Sequence, residues 1–207
     1  MTASRPPFES IPSMFNWFGF LSYAVISTIT PGPNNLMSMA NASRTGLRRC
    51  IPFNFGIWVG FSAVMLLCTA FCTTLSTLIP AIMTPMLVVG AGYMLWLAWI
   101  TFRRGPITDA EPSKGTGFLA GMLLQFVNPK IYVYCIVAMQ AFILPVYRDE
   151  PWILVLFALL MSTIGASFNI LWALFGVAFR ILFSGYARLT NTIMAALLVM
   201  CAVSLFF

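Results

Sequence analysis

The sequence predicts an all-α integral membrane protein, and three observations support that prediction. Of the 207 residues, 60% are hydrophobic and only 8% are charged, whereas soluble domains carry about a quarter charged residues. The apolar residues form long runs free of charge, and a membrane-spanning helix needs about 20 of them in succession. The charged residues lie between these runs in ones and twos. We therefore expect lipid to surround most of the chain.

Charge-free runs define six predicted transmembrane helices. The longest run is divided at residues 80–85, because Pro80 and Pro85 favour a turn there. Residues 103–114, which contain a glycine and two prolines, form a predicted linker between the third and fourth helices. The whole chain, residues 1–207, is thus predicted to be one transmembrane domain. Its predicted helices cover about residues 14–42, 51–79, 83–102, 115–145, 152–180 and 187–206.

The basic residues indicate how the helices are oriented. Lysine and arginine are retained in cytoplasmic loops, and eight of the eleven basic residues lie in the first, third and fifth loops. Only Arg5 and Arg148 lie on the other side, so both termini are predicted to be periplasmic and the linker 103–114 cytoplasmic. This pattern favours a bacterial inner membrane protein and excludes a nucleic-acid interface, despite a net charge of +6. The eight cytoplasmic residues are Arg44, Arg48, Arg49, Arg103, Arg104, Lys114, Arg180 and Arg188.

The linker divides the six helices into two groups of three. Because each group contains an odd number of helices, the second group is inserted upside down relative to the first. Proline interrupts the first helix of each group, at residues 30–34 and at residues 128–130. Corresponding breaks in two inverted halves are the sequence signature of a transporter's binding site near the membrane midplane. We therefore predict a three-plus-three inverted repeat with helices one and four broken.

The break in helix one supplies the first candidate site residues. Prolines remove backbone donors and favour extended geometry before them, so Pro31, Gly32 and Pro33 should end one half-helix and begin another. The following residues, Asn34 and Asn35, then lie at a half-helix N-terminus, which attracts anions such as carboxylates. The alternative is a structural kink whose free backbone groups are satisfied by neighbouring helices.

Lys130 is the only charged residue in the interior of a predicted span, away from its ends. Such a charge usually faces the bundle interior or a polar path, and no aspartate or glutamate lies in a predicted span to neutralise it. Lys130 therefore either binds an anionic ligand or is present as the neutral amine. The alternative is a structural role, with Lys130 bonded to carbonyls freed at the Pro129 break. Asn128 beside it and Asn169 in helix five are the other predicted lining residues.

Several classes of function are disfavoured by residue type. Histidine is absent, which removes the commonest metal ligand and general base. The five cysteines form no CxxC motif and mostly lie within apolar runs, so we expect thiols that pack as small residues. No catalytic residue, metal site or cofactor is predicted.

The ordered motifs of the chain resemble those of the LysE/RhtB amino-acid exporters. The resemblance extends over nearly the whole chain, and helix five, with Phe168-Asn169 and Trp172-Ala173-Leu174, is similar to the branch that exports cysteine and O-acetylserine. The motifs are TPGPNNL at 30–36, Gly56-x-x-x-Gly60, GAGYMLWLAW at 90–99, NPK at 128–130 and FILP at 142–145.

The resemblance implies six helices in a three-plus-three inverted arrangement and proton-driven export of small amino acids. The absence of a membrane carboxylate favours neutral or polar substrates over cationic ones. Three possibilities for proton coupling remain open. The proton is carried by Lys130, it is carried by a loop acid such as Glu9, or the protein is a uniporter without coupling. A thiol–disulfide electron carrier and a channel are the alternative functions. The expected partners are the amino acid and the lipid bilayer, with no nucleic acid and with a homo-oligomer left open.

The orientation can be tested by labelling single cysteines in a cysteine-free background. A membrane-impermeant maleimide added from outside should modify a cysteine at position 149 and not one at position 108, because the basic loops are retained inside. Labelling is read by mass shift in intact cells, with permeabilised cells as the control for reactivity. The reverse pattern would contradict the predicted orientation.

Overall fold

A computed structural model of the chain describes residues 14–103, 117–182 and 186–204, and the regular structure within them is entirely helical. Of the predicted linker 103–114 only Arg103 is described, as the last residue of a helix. The helices are α1 (Trp17–Ile29), α2 (Pro33–Thr45), α3 (Leu47–Ala70), α4 (Cys72–Arg103), α5 (Phe118–Phe126), α6 (Pro129–Ala138), a π-helical segment (Met139–Ile143), α7 (Leu144–Tyr147), α8 (Pro151–Leu182) and α9 (Ala187–Ser204).

Both proline motifs break their helices. α1 ends at Ile29, Thr30 is extended with φ −60° and ψ 142°, and α2 begins with Pro33 in its first turn. In the second half α5 ends at Phe126 and α6 begins with Pro129 in its first turn. Proline suits this position because the first turn of a helix needs no amide donor. The same local chemistry therefore produces a half-helix N-terminus in each half of the chain.

The turn predicted at residues 80–85 is wrong. The backbone is helical throughout α4, and the interruption lies earlier, at Phe71, where φ is −115° and ψ is 26°. A proline inside a membrane helix removes one hydrogen bond that neighbouring groups can replace, so it does not by itself end the helix. The predicted helices 51–79 and 83–102 are accordingly replaced by α3 and α4.

The end of the fourth predicted helix is wider than a regular α-helix. A π-helical segment, Met139–Ile143, separates α6 from α7. Pro145 has no amide to donate to the preceding turn, and a π-bulge is one way in which a helix accommodates such a gap. The turn that follows contains Asp149 and Glu150, and none of the helices that the structure describes contains an aspartate or glutamate.

Close packing between the two halves depends on glycine. α3 packs along α5 and α8, α2 packs along α8, and α4 packs along α9. A Cβ atom on Gly56 would overlap the carbonyl group of Phe118, and one on Gly121 would overlap that of Phe53. Close approach of α3 and α5 therefore requires a small residue at both positions. Gly117 does not share this requirement, because a Cβ there would meet nothing within 4 Å.

The outer surface of the helices is suited to lipid. Three stretches of the described residues are long and apolar enough to cross a membrane, namely Leu47–Ala70, Pro129–Tyr147 and Pro151–Arg180. Large apolar side chains such as Trp152 and Phe175 are 60% and 61% exposed. Apolar surface of this extent is stable only in contact with lipid or another chain. The six-span count itself remains a prediction.

The two glycines make a matched test of the contact between α3 and α5. Gly121→Ala should lower the stability of the solubilised protein by about 1–3 kcal/mol, because the added methyl group overpacks the interface. Gly117→Ala should change it by less than about 0.5 kcal/mol. Thermal unfolding in detergent, followed by the loss of the monodisperse peak in size-exclusion chromatography, measures both. Equal effects would contradict the close approach.

Candidate functional site

The two helix breaks border one partly open cavity, the inner chamber, with a cavity volume of about 40 Å³. Residues from the first break, the second break, α3 and α8 contribute to it, so the chamber lies where the two halves of the chain meet. It is lined by Ser27, Thr28, Gly32, Pro33, Asn34, Asn35, Phe61, Asn128, Lys130, Ile131, Tyr134, Gly165 and Asn169.

Seven of the eight residues predicted as site residues line this chamber. The exception, Pro31, lines a wider neighbouring cavity, the outer cleft, with a cavity volume of about 460 Å³. The structure thus brings all eight residues to two adjoining cavities, and their role as substrate ligands remains a prediction. The seven chamber residues are Gly32, Pro33, Asn34, Asn35, Asn128, Lys130 and Asn169.

Side chains from other helices satisfy the carbonyl groups freed where α1 ends. Asn35 donates from Nδ2 to the carbonyl oxygens of Thr28, at 2.7 Å, and Thr30, at 2.9 Å. Trp172 on α8 donates from Nε1 to the carbonyl oxygen of Ile29, at 3.2 Å. In a membrane such carbonyls would be costly if left unpaired. The break is therefore held by residues of α2 and α8.

Lys130 also binds the C-terminal end of α1. Its Nζ lies 3.1 Å from the carbonyl oxygen of Thr30 and 2.9 Å from the Thr30 hydroxyl. The side chain crosses Gly32, where a Cβ would lie only 3.1 Å from Nζ. The negative end of the α1 dipole thus compensates the ammonium. The freed carbonyl that Lys130 binds belongs to the first break and not, as considered from the sequence, to the Pro129 break.

Lys130 lies at the boundary between the two cavities. Its side chain lines both the inner chamber and the outer cleft, as do Gly32 and Tyr134. The outer cleft continues between the helices as far as Leu87 on α4 and Cys201 on α9. Lys130 is therefore one of the residues that border both cavities.

A network of buried amides joins the two breaks. Asn34 Nδ2 donates to Gln125 Oε1 at 2.7 Å, and Asn34 Oδ1 accepts from Gln125 Nε2 at 3.2 Å and from Asn128 Nδ2 at 3.1 Å. Asn128 Oδ1 in turn accepts the amide of Lys130 at 3.2 Å, which caps α6. The side chains of Asn34 and Asn128 are thus engaged in positioning the breaks. None of the three side chains in this network carries a charge.

The half-helix that begins at Pro33 presents backbone donors to the chamber. The amide of Leu36 bonds to the carbonyl oxygen of Gly32 at 3.0 Å, as in a regular helix. Asn34 and Asn35 lie in the first turn, where a helix offers no carbonyl acceptor for the amides. These two amides, with the positive end of the helix dipole, form an electropositive wall of the chamber.

Two buried polar atoms on residues that line the chamber lack a hydrogen-bond partner. They are the hydroxyl of Tyr134 and Oδ1 of Asn169, on side chains only 4% and 2% exposed. An unpaired buried polar atom costs about 1–3 kcal/mol. Sequence reasoning identified Asn169 and missed Tyr134, although Tyr134 lies four residues after Lys130 and thus on the same face of α6.

The amide network predicts that Asn34 and Gln125, which are far apart in sequence, are strongly coupled in their contributions to stability. Asn34→Leu or Gln125→Leu should each lower the stability in detergent by about 1–3 kcal/mol, because each leaves its partner's buried amide unpaired. The double variant should lose less than the sum, by a coupling of about 0.5–3 kcal/mol. Unfolding curves of the four proteins measure the cycle. Additive losses would show that this pair does not interact.

Comparison with known proteins identifies the family. The LysE type translocator model matches residues 25–207. The chain is 42% identical, over 89% of its length and 93% of the relative, to a cysteine/O-acetylserine efflux protein of Klebsiella pneumoniae. The proteins of the same name from Salmonella choleraesuis and Escherichia coli K12 are 40% and 37% identical to it, each match covering 91% of this chain and 96% of the relative. No solved structure gives a significant match. The chain therefore belongs to the LysE type translocator family, and it is a membrane transporter and not an enzyme.

Proposed function

We propose that this protein exports small neutral or polar amino acids across the bacterial inner membrane, with cysteine and O-acetylserine as the leading candidate substrates. The names of relatives up to 42% identical over most of the chain support this substrate class. The observation that carries the proposal is the inner chamber, where two half-helix N-termini and one ammonium meet among uncharged polar groups.

The electropositive side of the chamber suits the substrate carboxylate. The amides of Asn34 and Asn35 offer donors at a helix N-terminus, the arrangement by which proteins commonly hold small anions. Lys130 adds a positive charge beside this N-terminus, because its Nζ is held against Thr30 and lies next to Gly32, the N-cap of α2. We assign the carboxylate to the space between these groups, where both the backbone donors and the ammonium can reach it.

The same chamber disfavours a cationic side chain. None of the described residues that line it is an aspartate or glutamate, so the side chain of lysine or arginine would enter without a counter-charge, which is costly within a membrane. A zwitterion with a neutral side chain brings only one negative group, which the chamber matches. This preference is opposite to the one that a carboxylate-lined site would show.

The architecture of the proposed transporter has six spans in a three-plus-three inverted repeat, with both termini in the periplasm. Three features support the repeat. α2 and α6 each begin with a proline in the first turn. α3 packs against α8, and α4 packs against α9, as pairs related by a two-fold axis would do.

We propose that the proton gradient drives efflux. Lys130 and Glu9 are candidates for the proton carrier, and Glu9 lies outside the described residues. A uniporter would need neither. A thiol–disulfide carrier lacks support, because none of the five cysteines lines the inner chamber. A channel would not show counterflow, so the transport assay itself separates it from a carrier.

The function is tested by counterflow of labelled amino acids in proteoliposomes. We expect saturable exchange of O-acetylserine and cysteine, and little exchange of lysine. Lys130→Met should raise the half-saturating concentration about 10-fold or more, because hydrogen bonds to charged groups contribute about 1.5–3 kcal/mol. Lys130→Arg should retain part of the affinity because the positive charge is kept. Arg148→Gln, which removes a cation outside both cavities, is the matched control.

The same variants separate the roles of Lys130. If Lys130 carries the proton instead, Lys130→Met should lose efflux driven by a pH gradient and keep exchange at equal pH. Wild-type binding, exchange and efflux in Lys130→Met would show that Lys130 only holds the break together. Absence of counterflow for every neutral amino acid in the wild-type protein would contradict the proposed function.

A further inference from the structure

We infer that the Tyr134 hydroxyl and the Asn169 side-chain oxygen form the subsite that selects the substrate by its hydrogen-bonding groups. The inference rests on the proposed function, since it assigns ligands within the same chamber. Asn169 Oδ1 receives the α-ammonium of the amino acid. The Tyr134 hydroxyl donates to an oxygen or sulfur atom of the substrate side chain.

The two atoms are suited to a ligand because nothing else in the described protein uses them. Both lie on side chains at least nine-tenths buried, and both side chains line the inner chamber. Buried polar groups are nearly always hydrogen-bonded, and exceptions call for a bound partner. Two such exceptions that line one chamber, one on α6 and one on α8, indicate a shared ligand.

Neighbouring contacts fix the orientation of both groups. Asn169 Nδ2 donates to the carbonyl oxygen of Gly165 at 3.0 Å, so the atom left without a partner is the acceptor. The Tyr134 ring stacks on Tyr23, with centroids 5.7 Å apart, and contacts Phe61 at 6.0 Å. The Tyr23 hydroxyl also bonds to the carbonyl oxygen of Tyr134 at 3.3 Å. These contacts leave the Tyr134 hydroxyl and Asn169 Oδ1 as the two groups without a partner.

The chemistry of the pair assigns the substrate groups. Oδ1 of an asparagine only accepts, so it matches the ammonium group, which only donates. A tyrosine hydroxyl donates well to a carbonyl oxygen and weakly to sulfur. Tyr134 lies one helical turn from Lys130, with about 5–6 Å between neighbouring Cβ positions. That spacing allows one small amino acid to contact Lys130 with its carboxylate and Tyr134 with its side chain.

This assignment predicts an order of substrate preference. O-acetylserine, with an ester carbonyl, should bind more tightly than cysteine, and cysteine more tightly than 2-aminobutyrate, which has a methyl group in place of the thiol. A site built to hydrogen-bond a substrate rejects analogues that leave its buried groups unpaired. The preference therefore arises from Tyr134, whereas Asn169 serves every amino acid.

The test is competition by these three unlabelled amino acids in the counterflow assay. Tyr134→Phe should weaken O-acetylserine about 3–10-fold, the loss of one neutral hydrogen bond, and leave 2-aminobutyrate unchanged or tighter. Asn169→Leu should weaken all three by about 10-fold or more, and Asn169→Asp, which keeps an oxygen acceptor, should weaken them less. Tyr132→Phe is the matched control, because that hydroxyl lies on the same helix and bonds to Phe126 outside both cavities.

The outcomes separate this inference from the proposed function. Normal wild-type counterflow with unchanged preference in Tyr134→Phe would overturn the role of Tyr134, and equal binding by Asn169→Leu would overturn that of Asn169. Either result leaves the export function intact and would mean that the group concerned bonds to water and not to the substrate. A wild-type protein without counterflow would contradict the proposed function first. Size-exclusion profiles and thermal midpoints of each variant show whether a loss reflects binding or misfolding.

Discussion

The structure depends on how the backbone at the end of α1 is satisfied. The last two residues of α1 and the Thr30 that caps it have carbonyl groups without a helical donor, and each receives a side-chain donor from another element. Thr28 and Thr30 bond to Asn35 of α2, Ile29 bonds to Trp172 of α8, and Thr30 also bonds to Lys130 of α6. Each unpaired carbonyl would cost roughly several kcal/mol in lipid. The hydrogen bonds at this one break therefore hold α2, α6 and α8 around the chamber.

The polar content of the chamber follows from the same constraint. The breaks need partners inside the bundle, and amide side chains provide both donors and acceptors without the cost of a buried charge. Asn34, Gln125 and Asn128 therefore form a neutral network, and Lys130 is the single charged residue that lines the chamber. An amino acid with one carboxylate and a neutral side chain therefore complements such a site better than one whose side chain carries a second positive charge.

Local sequence chemistry predicted the breaks because proline acts on its own backbone, and Pro33 and Pro129 lie in the first turns of α2 and α6. It failed at Pro80, since whether a proline ends a helix depends on neighbours that replace the lost bond. Tyr134 was missed because an aromatic residue in an apolar run looks like packing until the fold reveals that its hydroxyl has no partner. Gly121 and Gly117 look alike in sequence, and only the crossing with α3 separates them.

Lys130 is considered either as the group that holds the substrate carboxylate or as the proton carrier. The two roles require coupling free energies of opposite sign between substrate binding and proton binding. An ammonium has three donors, and Thr30 takes two of them, so the third can bind a substrate carboxylate while the break stays closed. A neutral amine would have no donor to spare, so substrate and proton would favour each other's binding, and by linkage the effect is reciprocal. Export driven by inward proton flow requires the reverse, because substrate and proton must then be carried in alternate states. If Lys130 holds the carboxylate, a proton that drove efflux would therefore have to bind elsewhere.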